Sequence, residues 1–270
     1  MVTKSEIFAK LWTAYTEQNP IVQKVFESFV NIGETVLNDH IALRTFNDPR
    51  MNIKVLEKPF ISAGYVPMGE YTFEEKKLKA KHYEVPNHPE EPKVFISELV
   101  LEDFSKELQN LVAECINKTD NSVYASNNLI FSGSLWKKPS FNLYERLREE
   151  SEYAAWLYVY GFRANHFTVS INSLKKLNTI EKVNQHLKDH GFVLNTSGGE
   201  IKGTKEELLQ QSSIIAQNIP IVFKEGIYEI PGCYYEFAIR YSDTNGKLYN
   251  GFIAKSADKI FESTNFHEKN

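Results

Sequence analysis

Two stretches of this 270-residue chain open in nearly the same way, and that near-repetition limits the fold more than any other feature. One begins Asp39-His40-Ile41-Ala42-Leu43, the other Asn165-His166-Phe167-Thr168-Val169. Each alternates like a strand and then turns helical. Each helix ends in Gly-aromatic, at Gly64-Tyr65 and Gly191-Phe192, where glycine suits a helix C-terminus. Three more strand-like runs follow in each. The last carries one carboxylate in an apolar setting, Glu98 in F-I-S-E-L and Glu236 in Y-Y-E-F-A. A unit repeated at this scale predicts paired modules. The fold class expected is α+β: two βαβββ-type modules forming a curved sheet or half-barrel around a metal cavity, with additional packed helices. The modules span about 39–101 and 165–241. With N-terminal helices inside 1–30, they are expected to form a single domain over 1–270.

The remaining elements follow from spacing. Ile7, Phe8, Leu11, Trp12 and Tyr15 predict a helix over 4–17, and Pro20 opens a second through Phe29. A helix is expected at 52–63, strands at 65–72, 79–85 and 93–101, and a helix at 103–118. Residues 119–139 are polar and turn-rich, and one long helix from Ser140 is expected over 140–160. The second module should place a strand at 165–171, a helix at 174–190 and strands at 192–196, 213–223 and 233–241.

Alternate strand residues share a face. His40, Ala42 and Arg44 therefore lie together, as do His166, Thr168 and Ser170, and Tyr234, Glu236, Ala238 and Arg240. The opposite faces are apolar and suited to helices. Two imidazoles and a carboxylate converging on the polar side would make a facial metal site with open positions, a set that suits ferrous iron in oxygen chemistry. A Glu236 buried among Tyr and Phe would be costly without a cation. Arg44 lies about 13 Å beyond His40 along the strand. Metal and guanidinium could then hold the two ends of a short dicarboxylate.

Composition removes other classes. Net charge is −4, with 31 basic against 35 acidic residues, and no long basic stripe offsets it, so nucleic acid is not an expected partner. The longest apolar-looking run, 154–162, is far short of the roughly 20 residues of a membrane span. Cys115 and Cys233 are the only cysteines, which excludes a disulfide scaffold or zinc ribbon. No apolar signal core follows Met1, and a cytoplasmic setting is expected.

Several motifs together resemble the 2-oxoadipate dioxygenase/decarboxylase family: D-H-I-A-L-R-T-F at 39–46, K-K-L-K-A at 76–80, F-I-S-E-L at 95–99, S-E-Y-A-A-W-L at 151–157, N-H-F-T-V-S at 165–170, Y-Y-E-F-A at 234–238 and G-F-I-A-K-S-A-D-K-I-F-E-S-T at 251–264. The resemblance runs in order through nearly the whole chain. It implies a fold related to the vicinal-oxygen-chelate group and Fe(II) held by His40, His166 and Glu236. It also implies Arg44 as the anchor for a substrate carboxylate. The reaction implied converts 2-oxoadipate and O2 to 2-hydroxyglutarate and carbon dioxide, a step of lysine breakdown. Some family members are longer. In the tail, Lys255 replaces a small apolar residue near the substrate; Lys255 and Ser256 are substrate-binding candidates, Lys255 either adding a carboxylate contact or, as favoured, facing solvent.

Competing readings remain open at this stage. Glu98 would be a fourth ligand in a glyoxalase-type isomerase or lyase, in the order His40, Glu98, His166, Glu236. A non-catalytic protein that binds a small acid is the other alternative. His186 and His190 are four apart on a helix, but H-L-K-D-H lacks a zincin glutamate. His82 is a possible lining residue, His88 sits in a loop and His267 near the end. Lys76, Lys77, Lys79 and Lys81 read as a solvated face from which one lysine could close on a carboxylate. Cys115, Trp12, Trp136 and Trp156 read as core or interface, and Cys233 lacks a base.

Overall fold

The computed structural model describes residues 3–136 and 138–265. Thr3 and Glu6 form a capping box that starts α1 (Lys4–Gln18), and Pro20 occupies the first turn of α2 (Pro20–Asn31). Then comes β1 (Asn38–Phe46). The helix expected over 52–63 is two short pieces, α3 (Ile53–Leu56) and α4 (Lys58–Ser62). Pro59, which lacks an N–H and so suits only a first turn, sits at the start of the second. The module continues as β2 (Val66–Phe73), β3 (Leu78–Glu84) and β4 (Lys93–Leu99).

Between the modules lie α5 (Lys106–Asn117), α6 (Asn121–Tyr124), α7 (Phe141–Glu150) and α8 (Glu152–Tyr160). The single helix expected over 140–160 is divided at Ser151. That residue is extended (φ −153°), and its side chain accepts from the Ala154 N–H, capping α8. Apart from Glu152 itself, α8 is buried along its whole length. A helix apolar on every side belongs in an interior.

The second module is β5 (Ala164–Ser170), α9 (Ile180–Asp189), β6 (Leu209–Ser213), a hairpin of β7 (Asn218–Phe223) and β8 (Gly226–Pro231), and β9 (Tyr234–Arg240). Here the expectation needs correction. The strand expected over 213–223 is split, because β6 ends at Ser213 and β7 pairs only with β8 in a separate two-stranded sheet. The strand expected at 192–196 shrinks to a single bridge between Leu194 and Ile214. Finally α10 (Ala254–Phe261) packs against β2 and β6.

Seven strands form one curled half-barrel sheet in the order β2-β3-β4-β1-β5-β9-β6. The two first strands meet at its centre, antiparallel, with Ala42 opposite His166. Each then pairs in parallel with the last strand of its own module, β1 with β4 and β5 with β9. The outer face takes the N-terminal helices: Trp12 meets Phe167 edge-on at 5.0 Å, and Phe29 stacks on Phe237 at 5.8 Å. One buried apolar cluster runs through both modules.

Candidate metal centre

The central pair of strands sets the site. Because β1 and β5 run side by side, His40 and His166 project from neighbouring strands onto one face, their rings 5.5 Å apart. Glu236 enters from β9, paired in register with Thr168. Its Oε2 lies 3.2 Å from His166 Nε2 and its Oε1 3.6 Å from His40 Nε2. Ligand atoms of the three residues all fall within 4.8 Å of one another, and all three side chains are buried. Among the described residues they are the one His/Cys/Asp/Glu group so arranged.

Local chemistry prepares these atoms for a cation. Burial lowers the basicity of His40, and lowers that of His166 further, with His40 and Arg44 adding to the effect. Both rings are therefore neutral and offer lone pairs. Burial pushes the Glu236 carboxyl up to about 8, a penalty that a nearby cation would remove. His166 Nε2 is buried with no hydrogen-bond partner. The donor set fits a divalent metal, and the two-imidazole, one-carboxylate combination leaves coordination positions open.

The neighbours of the ligands fix their aim. His40 Nδ1 donates to Asp39 Oδ1 at 2.7 Å, and Asp39 is clamped by Arg240 through Nε at 2.7 Å and Nη2 at 2.9 Å. Burial alone would raise the Asp39 carboxyl, but Arg240 and His40 hold it well below the ordinary range. An ionised Asp39 only accepts, so the proton sits on Nδ1 and Nε2 faces the centre. His166 Nδ1 has a neutral partner in the same place, Asn165 Oδ1 at 3.1 Å. Gln211 Nε2 donates to Glu236 Oε1 at 2.5 Å, leaving Oε2 directed at His166.

Arg44 is buried and has no carboxylate partner among the described residues. Its guanidinium carbon lies 4.9 Å from the ring centres of both Tyr153 and Trp156, one turn apart on α8. Nη2 donates to Thr264 Oγ1 at 3.1 Å, while Nε has no partner. The Tyr153 hydroxyl is itself fixed to Ser97 O at 2.8 Å. The result is a rigid, desolvated cation with spare donors, which is a receptor for an anion.

Two cavities share Phe261 of α10 as a lining residue. A cavity of about 20 Å³, room for about one water, touches His40, His166, Glu236, Tyr234, Phe95 and Phe252. A cleft of about 330 Å³ touches Arg44, Lys76, Lys77, Tyr153 and Thr264.

Glu98 does not join the triad. It pairs with Thr45, five residues beyond His40, so it lies on the opposite face of the sheet and accepts from the Ile53 N–H at 2.9 Å. Phe95 sits in the register position where a fourth ligand would stand. Lys255 is exposed, and Ser256 is buried beside Gly203 rather than in the wall of the metal cavity. His82 lies one layer back, bonded to Tyr71 and Glu84 and 5.3 Å from the Phe252 ring.

His88 is exposed and bonded to Glu90. His186 bonds Ser28 and His190 bonds a backbone carbonyl, and neither belongs to a metal group. Burial pushes the thiols up, to about 11 for Cys115 and about 12 for Cys233, so neither is an activated nucleophile. His267 lies outside the described residues. Sequence reading missed Asp39, Arg240, Gln211 and the stacking role of Tyr153 and Trp156. The matched Asp-His and Asn-His openings were the one available signal.

The half-barrel sheet, the His40–His166–Glu236 group and the buried guanidinium together describe a candidate single-metal site with an anion receptor on the same sheet face. The family model for 2-oxoadipate dioxygenase/decarboxylase matches residues 7–247, and the chain belongs to that family. It is 35% identical to the chloroplastic 2-oxoadipate dioxygenase/decarboxylase of Arabidopsis thaliana, over 96% of this chain and 76% of that protein. The structure of hydroxyglutarate synthase from Oryza sativa, solved with 2-oxoadipate, is 33% identical with a TM-score of 0.89, covering 96% of this chain and 91% of that one. A structure from Shewanella frigidimarina, described provisionally as a hydrolase, is 49% identical with a TM-score of 0.88 over 94% and 99%.

Proposed function

We propose that this protein converts 2-oxoadipate and O2 to 2-hydroxyglutarate and carbon dioxide, with Fe(II) held by His40, His166 and Glu236. Every atom of both substrates appears in the two products, so no separate reductant is needed. Bound there, ferrous iron supplies open coordination positions and the redox chemistry for dioxygen. The protein's own residues do the rest. The imidazoles of His40 and His166 and the Glu236 carboxylate would hold the ion. Arg44 takes the distal carboxylate through its spare N–H groups, and Tyr153 and Trp156 keep the guanidinium from turning. Phe95, Phe252 and Phe261 exclude water from the reacting end. Ser256 lies buried outside the wall of the metal cavity, and Lys255 faces solvent.

The observation that carries this reading is the pairing of a buried metal triad with a buried guanidinium that has no acid of its own. A neutral or monoacid substrate would leave that charge uncompensated. With this substrate and product, the reaction would be a step of lysine breakdown, as the family resemblance implies. No helix among the described residues is long and apolar enough to cross a membrane. Two unpaired cysteines fit a reducing compartment such as the cytoplasm, although the Arabidopsis relative is named chloroplastic.

The test is anaerobic loading with Fe(II), then oxygen uptake on adding 2-oxoadipate, with products read by mass spectrometry. Equal consumption of oxygen and 2-oxoadipate with formation of 2-hydroxyglutarate is the expected result. Bound iron with no uptake, or product formation without oxygen, would overturn it.

A further inference from the structure

Tyr234 is fully buried on β9, two residues before Glu236 and therefore on the same face, and it lines the metal cavity. Its hydroxyl has no hydrogen-bond partner. A buried hydroxyl without a partner is a cost to the fold. Tyr160 and Tyr235 also bury unpartnered hydroxyls, but neither lines the metal cavity. The Tyr234 ring is held firmly: it lies 4.6 Å from the His166 ring, and its backbone carbonyl accepts from the Tyr15 hydroxyl. Glu236 and Arg44 are the charges that act most on its phenol.

We propose that the Tyr234 hydroxyl is a substrate contact, donating a hydrogen bond to the 2-oxo oxygen of the bound substrate. The inference rests on the reaction proposed above. A 2-oxo acid in its ionised form presents only acceptors, so the site must answer with a donor. Besides His166, whose free Nε2 is set aside for the metal, the other cavity residue with an unpartnered atom is Gln211, which offers a carbonyl oxygen there because its Nε2 is already given to Glu236. Tyr234 has the complementary sign. The unpartnered hydroxyl then reads as a donor kept for the ligand.

The variant is Tyr234→Phe, with Tyr160→Phe as control. Binding is measured by calorimetry, without oxygen, on the Fe(II)-loaded protein, using 2-oxoadipate and adipate, which lacks the oxo group. The expected result is about tenfold weaker 2-oxoadipate binding, unchanged adipate binding and an apo melting temperature equal to or above the parent's. The control should change none of these. Unchanged 2-oxoadipate binding in Tyr234→Phe would overturn the proposal. Equal weakening of both acids, or a lowered apo melting temperature, would show a structural role and overturn it as well. If the parent fails to bind 2-oxoadipate, the reaction itself falls, an outcome visible before any variant is made.

Discussion

On β1, His40 is followed four residues later on the same face by Arg44; on β5, His166 is followed at that spacing by Ser170. On β9, the residue two beyond the strand partner of His166 is Glu236; on β4, the residue two beyond the strand partner of His40 is Phe95. The two halves share a scaffold and divide the chemistry. In the proposed function the second supplies the carboxylate ligand, and the first the substrate anchor and an apolar wall. Even the supports differ, since His40 leans on an ionised aspartate and His166 on a neutral amide. A duplicated frame places two histidines symmetrically, and single substitutions on equivalent strand positions then make the site one-sided, as a substrate with two unlike ends requires.

The largest effect should come from removing the ligand that only the second half has. Glu236→Ala should lose bound iron and lower turnover by at least about a thousandfold. Its apo form should remain folded, because a buried carboxylate that lacks a cation is removed. Metal analysis and thermal melting check both. A variant that kept its iron and its turnover would break the assignment of roles to the two halves.

Arg44→Met tests the first half's contribution. Losing a buried, charge-assisted contact should cost roughly a hundredfold in kcat/KM for 2-oxoadipate. A neutral 2-oxo acid of similar length should be affected much less. Equal losses for both substrates would remove the anchor role.

The unequal supports can be compared directly. Asp39→Asn should weaken metal binding by about 10–100-fold, the range typical for carboxylates behind ligating histidines. Asn165→Ala should do less, because the bond it removes is neutral and longer. Titration with Co(II), followed by its visible spectrum, reads the site without turnover. Equal effects would mean that the two supports are interchangeable.

The grouping of His40, His166 and Glu236 was legible because strand alternation converts spacing into a shared face with no knowledge of packing. Their convergence depended only on which strands meet at the centre, and the paired Asp-His and Asn-His openings marked those strands. The broken helix at Ser151 and the lost strand at 192–196 were not legible. In the first case charged i,i+4 pairs continue across a residue whose hydroxyl caps a new helix. In the second, a strand-like run failed to find a full-length partner. Trp156 was read as core, correctly for its burial, but its stacking on Arg44 depends on the crossing of α8 over β1, which no local pattern encodes.

Glu98 gives the smallest expected effect and the sharpest check on the three-ligand assignment. It is the chemical counterpart of Glu236 in the repeat, yet its register puts it on the other face, against Ile53. Glu98→Gln should leave iron content and turnover unchanged, whereas a four-ligand centre would lose metal. Its pH behaviour has a definite sign. Burial raises the Glu98 carboxyl above its ordinary value, so the folded state holds this proton more tightly than the unfolded chain does. Its contribution to stability is then full below the unfolded carboxylate range and is lost as pH rises through the folded value. At neutral pH the charged Glu98 is a small liability, and glutamine should match or slightly exceed it, by less than about 1 kcal/mol. Towards pH 4 the parent should recover that difference. Melting curves of the two proteins that run parallel from pH 4 to pH 7 would contradict the burial effect. A loss of iron in Glu98→Gln would instead return the carboxylate to the centre and erase the asymmetry between the halves.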